Sequence, residues 1–288
     1  MTILHSIILG IVEGVTEFLP ISSTGHMILA SSLLGITPTD FTKNFEIAIQ
    51  LGAILAVVVV FWKKFWNWER LVKLAVAFIP TGIIGLLLYH VVKELLGSDV
   101  VVLASLFVGG AILIAFEAYY GKREDALAAA ANPTPENTTP HENVGRTTSD
   151  MSSGIGIDVP EMDKISYKQA VGIGFAQAVA IIPGVSRSGA TIVGGMALGI
   201  SRAAIVEFSF LLAVPTMLAA TLYSLYKSHA FAYTSPEWTA LGIGFVVAFL
   251  VAMPIVRWFL GYVRSHSFKT FGWYRIILSV LFAAWLFL

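Results

Sequence analysis

Pro183-Gly184-Val185-Ser186-Arg187-Ser188-Gly189-Ala190-Thr191 interrupts a long apolar stretch with a Pro-Gly break, a hydroxyl cluster and one arginine. A charge at the bilayer centre costs about 2.5–3.5 kcal/mol on insertion scales. Such a charge persists when it has an anion to hold. A Gly/Ser-rich turn that opens a helix presents free backbone N–H groups and a positive dipole end. The guanidinium adds a planar fork that matches phosphate. The stretch therefore predicts a phosphate site inside a membrane protein.

The rest of the chain agrees. Its 288 residues are 57% hydrophobic and 12% charged, with a mean hydropathy of +0.80. Soluble domains carry about 25% charged residues, so a polytopic membrane protein is expected. Net charge is zero, so bulk charge names no partner, and nothing points to nucleic acid. The absence of cysteine excludes disulfides, thiolate metal sites and cysteine nucleophiles. The first apolar run lacks a basic leader and already holds Glu13 and Glu17, so no cleavable signal peptide is expected.

Six stretches are long and apolar enough to cross about 30 Å of hydrocarbon. They are Phe45–Trp62, Leu74–Val92, Val100–Tyr120, Ala203–Tyr226, Trp238–Trp258 and Phe271–Leu288. Leu4–Gly35 and Gln169–Ile200 are also apolar, but each is broken near its middle into halves too short to cross. They read as re-entrant helical hairpins, which need shelter from protein or a wet cavity. Residues 122–166 are polar and rich in Pro, Ser, Thr and Asn, and read as a flexible loop between two halves.

The halves look related. A shift of 164 residues carries Gly10, Glu13, Ser22 and Gly25 onto Gly174, Gln177, Ser186 and Gly189. Residues 1–121 then form one repeat and 167–288 a second, each a hairpin plus three transmembrane helices. Three is odd, so the second copy must be inverted, with the broken segments meeting near the midplane. With the N-terminus outside, 13 Lys and Arg fall in inside segments and 3 outside. Both termini are therefore expected outside.

The first broken segment reads Glu13-Gly14-Val15-Thr16-Glu17-Phe18-Leu19-Pro20-Ile21-Ser22-Ser23-Thr24-Gly25-His26. Glu13 and Glu17 share one helix face among apolar neighbours. Two close carboxylates in a low dielectric suit proton transfer or cation binding. Ser22, Ser23 and Thr24 open the second half-helix. One hydroxyl is enough for an N-cap, so the others are free for chemistry. His26 follows one turn later. A hydroxyl, a histidine and a carboxylate around one turn are the parts of an activated nucleophile. Glu46 and Gln50 share a face and are expected to line the cavity. His5, His90, His141, His229 and His266 are scattered and read as ordinary.

These two motifs, with Phe45-Glu46 and Glu207-Phe208-Ser209-Phe210-Leu211-Leu212-Ala213-Val214-Pro215, resemble the bacitracin-resistance type of undecaprenyl-diphosphate phosphatase. The resemblance runs almost end to end. It implies a bacterial inner-membrane enzyme that removes the terminal phosphate from a polyprenyl diphosphate lipid, recycling the carrier used in cell-wall synthesis. It further implies that Glu13, Glu17, His26 and Arg187 carry the activity, and that a divalent cation is involved. The polar loop is longer than the family pattern.

Two readings remain open. In a phosphatase, Arg187, the N–H groups after Gly184 and the hydroxyls of Ser186, Ser188 and Thr191 hold the diphosphate, with Glu13, Ser22 and Thr24 beside it. Ser23 is then the nucleophile, with His26 or Glu17 taking its proton; attack by water or by His26 itself is the alternative. Glu13 and Glu17 offer hard oxygens suited to magnesium or calcium, and no organic cofactor is expected. In a transporter or lipid flippase, the same inverted repeat moves a phosphorylated lipid. Oligomeric state is open.

Overall fold

The computed structural model describes residues 1–95, 98–131, 160–227 and 233–287. Among these the regular structure is helical: α1 (Ile3–Thr16), α2 (Ser23–Leu33), α3 (Asp40–Val60), α4 (Trp68–Leu87), α5 (Tyr89–Leu95), α6 (Asp99–Ala131), α7 (Tyr167–Ala178), α8 (Arg187–Ala197), α9 (Arg202–Lys227), α10 (Ser235–Tyr262) and α11 (Lys269–Phe287), with short 3-10 turns between some of them. Six helices are long and apolar enough to cross a membrane: α3, α4, α6, α9, α10 and α11. The chain is a multi-pass membrane protein.

Local chemistry sets the ends. Thr39 opens α3 and Ser166 opens α7 with reciprocal capping boxes. α4 starts at Trp68, earlier than hydropathy predicts, because the Asn67 side chain accepts from the Arg70 N–H. α6 continues to Ala131, ten residues into the stretch read as loop. The reason is the run Ala126-Leu127-Ala128-Ala129-Ala130-Ala131, since alanine is the strongest helix former. The remainder of that predicted loop, residues 132–159, lies outside the described residues.

α1–α2 and α7–α8 are the two broken segments, and their halves pack on each other. Their surroundings are exchanged between the halves of the chain. α1 packs on α10 and α7 on α4; α3 packs on α10 and α9 on α4; α3 meets α9, and α6 meets α11. The closest approaches obey the same exchange. A Cβ on Gly10 would sit 2.8 Å from the Gly244 carbonyl, and one on Gly174 would sit 2.2 Å from the Ala77 carbonyl and 3.0 Å from Pro80. The Gly10–Gly244 and Gly174–Pro80 pairs are related by the 164-residue shift found in the sequence. Small residues let these backbones touch where lipid supplies no hydrophobic drive.

α3 and α9 are the most enclosed spans, and Phe18 packs edge-on against Phe210 at a centroid distance of 5.0 Å. One end of the bundle is laced by ion pairs: Lys64 with Glu207, Arg202 with Glu117 at 2.6 Å, and Arg70 with Asp163 at 2.6 Å. All three cations belong to the group that the charge count assigns to one face, with Glu207, Glu117 and Asp163 as their partners.

Candidate active site

Each break is built by the same backbone device. α1 ends at Thr16, and Leu19-Pro20 stops the helix because proline has no N–H and disfavours helical geometry in the residue before it. Ser22 then takes φ 71° and caps α2, accepting from the Gly25 N–H at 3.2 Å. In the second break Pro183-Gly184 does the same work. Gly184 has φ +90°, and a Cβ there would lie 2.7 Å from the Val102 carbonyl. Ser186 takes φ 79° and accepts from the Gly189 N–H at 3.1 Å. Left-handed geometry costs roughly 1–2 kcal/mol for a residue other than glycine. Two serines hold it at matching positions.

The side chains that follow the caps meet. Ser23 opens α2, and its hydroxyl donates a short hydrogen bond to Glu17. Arg187 opens α8, and its Nη2 donates to the other oxygen of Glu17 at 2.9 Å. Its Nη1 donates to the Ser209 carbonyl on α9 at 2.7 Å. Glu17 is 4% exposed and Ser23 7%. Glu17, Ser23 and Arg187 thus form one buried chain of hydrogen bonds, although Arg187 lies 170 residues from Glu17.

Among the described residues, two kinds of atom in this site lack a hydrogen-bond partner. Arg187 Nε is buried with none, and so are both carboxylate oxygens of Glu13, a residue with no exposed surface. Buried polar groups are nearly always hydrogen-bonded, so each orphan points to something the site binds. A free N–H donor suits an anion. Two free carboxylate oxygens suit a cation or a proton.

The remaining predicted residues fall into two groups. Ser186 Oγ lies 3.1 Å from Ser188 Oγ, Ser188 donates to the Leu19 carbonyl at 2.7 Å, and Thr191 lies 2.6 Å from Ser209 Oγ. These hydroxyls tie the second break to the first and to α9. Thr24 is half-buried beside Ser23. His26 points elsewhere: its Nδ1 is 2.8 Å from the Ser22 carbonyl, and its Nε2 is 2.8 Å from the Tyr274 hydroxyl. A carbonyl only accepts, so Nδ1 carries the proton and Nε2 of the neutral ring takes the tyrosine O–H. Glu17, not His26, receives the Ser23 hydroxyl. Glu46, on α3, accepts from Ser31 at 2.7 Å, and Glu46 and Gln50 are both half-buried.

Sequence reasoning passed over Tyr274 and Arg275. Arg275 is 2% exposed and donates to carbonyls of both breaks: Pro20 at 3.3 Å, Val185 at 2.9 Å and Gly184 at 2.9 Å. The signal that finds it is the one applied to Arg187: an arginine in an apolar span must have acceptors.

A family model described as "Bacitracin resistance protein BacA" matches residues 6–281. A protein of Aquifex aeolicus named undecaprenyl-diphosphatase is 45% identical over 289 residues, 99% of this chain and 98% of the relative. Proteins of the same name from Bdellovibrio bacteriovorus and Wolinella succinogenes are 48% and 47% identical, covering 98% and 99% of this chain and 95% and 99% of their own length. These matches run nearly end to end in both chains.

Proposed function

The chain belongs to the BacA family of bacitracin resistance proteins, and from that premise we propose how its buried site works on a diphosphate lipid. It is an undecaprenyl-diphosphatase, hydrolysing undecaprenyl diphosphate to undecaprenyl phosphate and inorganic phosphate. This recycles the carrier lipid for wall synthesis and confers bacitracin resistance. The observation that carries the mechanism is the Ser23–Glu17–Arg187 chain with Arg187 Nε left unpartnered.

Glu17 takes the Ser23 proton as the oxygen attacks the terminal phosphorus. The P–O bond to the polyprenyl phosphate breaks, and that phosphate leaves with its electron pair and takes the proton from Glu17. Glu17, a carboxylate again, deprotonates a water that attacks the phosphoserine phosphorus; the Ser23 oxygen leaves and takes that proton back, and inorganic phosphate is released. Arg187 and the N–H groups opening α2 and α8 neutralise the phosphoryl oxygens, which is the main requirement of phosphoryl transfer. Ser22, Thr24, Ser186, Ser188 and Thr191 line and shape this cradle, and His26 is held beside it by Tyr274. Magnesium or calcium would be held at Glu13, whose free oxygens fit it, with phosphate oxygens and water filling the shell; bound there, it would offset phosphate charge. Glu17 already has Ser23 and Arg187. Among the described residues no group of three acidic, His or Cys side chains forms a metal cluster.

The exchanged packing of α1 on α10 and α7 on α4 supports an inverted repeat with two re-entrant hairpins. The charge count supports termini outside the plasma membrane but puts the open ends of the two hairpins on opposite sides. The family membership is what favours a site opening outward, and the apolar prenyl tail, left in the bilayer, calls for an opening sideways into lipid as well. Phosphate release by purified protein without a gradient separates this mechanism from a flippase, which releases none. Ser23→Ala should abolish release; normal release would transfer the attack to water or His26. Thr24→Cys in this cysteine-free chain should react with an impermeant thiol reagent added outside intact cells. Labelling only in inverted vesicles would sink the outward opening.

A further inference from the structure

Arg275 plays no part in the mechanism above, yet it is the most heavily bonded side chain near the site. Nη1 donates to the carbonyls of Pro20 at 3.3 Å and Val185 at 2.9 Å. Nη2 donates to Gly184 at 2.9 Å and Ser105 at 3.0 Å, and Nε to Leu106 at 3.3 Å. Among the described residues every one of its hydrogen-bond partners is a carbonyl. Arg187, by contrast, has Glu17, and Arg202 has Glu117.

The carbonyls of the breaks need such a donor. Pro20, Gly184 and Val185 lie in the non-helical turns between the half-helices, where the helical ladders supply them no N–H and hydrocarbon offers no water to replace it. Guanidinium carries five N–H groups in a fixed fork, enough to serve the first break, the second break and α6 together. The Val185 carbonyl is drawn toward Arg275, so across the same trans peptide the Ser186 N–H points away from it, at the start of α8. Carbonyls solvate the cation without neutralising it. α6 makes room for the group: a Cβ on Gly109 would lie 2.1 Å from Nη2.

We propose that Arg275 is a positioning residue: its guanidinium fixes the two breaks against each other and sets an uncompensated positive charge behind the substrate's phosphates. The proposal rests on the phosphatase mechanism. Wild-type protein that released no phosphate would sink that mechanism, whereas the outcomes below bear on Arg275 alone.

The test uses the full chain in detergent, with polyprenyl diphosphate as substrate and inorganic pyrophosphate as a competing anion, all values taken per folded molecule. Arg275→Lys keeps charge and loses the fork. Gly109→Ala keeps the arginine and displaces it. Both should lower kcat about 30-fold or more while KM and the pyrophosphate inhibition constant stay within about threefold. Arg275→Gln keeps two donors and loses the charge, and should also weaken pyrophosphate inhibition about tenfold. A residue that merely holds the fold would lower the folded fraction and leave these constants unmoved. Near-normal kcat in Gly109→Ala or Arg275→Lys overturns the positioning role, and Gly109→Ala decides it if neither Arg275 variant folds. Equal pyrophosphate inhibition in Arg275→Gln and Arg275→Lys overturns the charge.

Discussion

The two chain breaks share a backbone and divide the chemistry. Ser22 and Ser186 adopt the same left-handed conformation and cap their helices through the same contact, to Gly25 and Gly189. The next residue is Ser23 in one and Arg187 in the other. The first break offers a hydroxyl beside a carboxylate, and the second offers the cation that meets them. The shared backbone places two helix N-termini close together. In the mechanism proposed above, the difference at single positions makes one of them the nucleophile's side and the other the cation's. The loss of symmetry is also visible one turn upstream, where Glu13 has Gln177 as its counterpart. The Gln177 amide donates to Thr81 at 2.9 Å and to Thr216 at 3.2 Å, and its oxygen has no hydrogen-bond partner among the described residues. Glu13 has no such donor, and both of its oxygens lack a partner among those residues.

Removing the cation should break this division most severely. Arg187→Ala leaves Glu17 buried with only Ser23 and strips the phosphoryl group of its charge-assisted donors. Phosphate release from polyprenyl diphosphate should fall about 10³-fold in kcat, since loss of one such transition-state donor costs 10²–10³ and this one also balances Glu17. No single hydroxyl of the second break should approach that. If Ser186→Ala or Thr191→Ala in a phosphate-release assay matched Arg187→Ala, the second break would owe its role to hydroxyls.

How much of this was legible before the fold was known follows from distance along the chain. Breaks, spans and the 164-residue relation are local patterns, and Pro20, Pro183-Gly184 and the Ser-rich turns announce them. Glu17 and Ser23 are six residues apart, so one helical turn and a cap bring them together. Arg187 was legible as a costly charge, though not its contact with Glu17. Arg275 and Tyr274 were not. Their partners lie from 90 to 255 residues away, and Arg275 binds carbonyls, which every residue has. The setting of His26 was hidden for the same reason: a tyrosine 248 residues away holds its ring, while Glu17 receives the Ser23 hydroxyl.

The carboxylate difference gives a smaller but sharper test. Glu13→Gln makes the first break match the second at that position, and the twin site accepts glutamine in the folded protein. Loss of a buried, unpaired acid should leave the melting temperature in detergent at or above wild type. Activity should fall about 10²-fold, and the response to chelator followed by magnesium or calcium should flatten, because the free hard oxygens are gone. Full activity with an unchanged metal response would make Glu13 a structural relic and leave Glu17 to do the acidic work alone.

The smallest effect probes what the breaks share. Ser22→Ala and Ser186→Ala each remove a cap, worth about 1 kcal/mol, and leave a side chain in left-handed backbone. Ser→Gly removes the same hydroxyl, but glycine adopts positive φ without the roughly 1–2 kcal/mol penalty and is itself a tolerated cap. Alanine should therefore lower the detergent melting temperature by a few degrees at either site, while glycine leaves it unchanged or raises it. Ser186→Ala should cost slightly more, because the Ser186 hydroxyl contacts Ser188 as well as the Gly189 N–H, whereas the Ser22 hydroxyl bonds the Gly25 N–H. Equal behaviour of alanine and glycine would mean that the serines are held by surrounding packing, not by their own backbone geometry. A large deficit at one site alone would end the description of the two breaks as one backbone solution used twice.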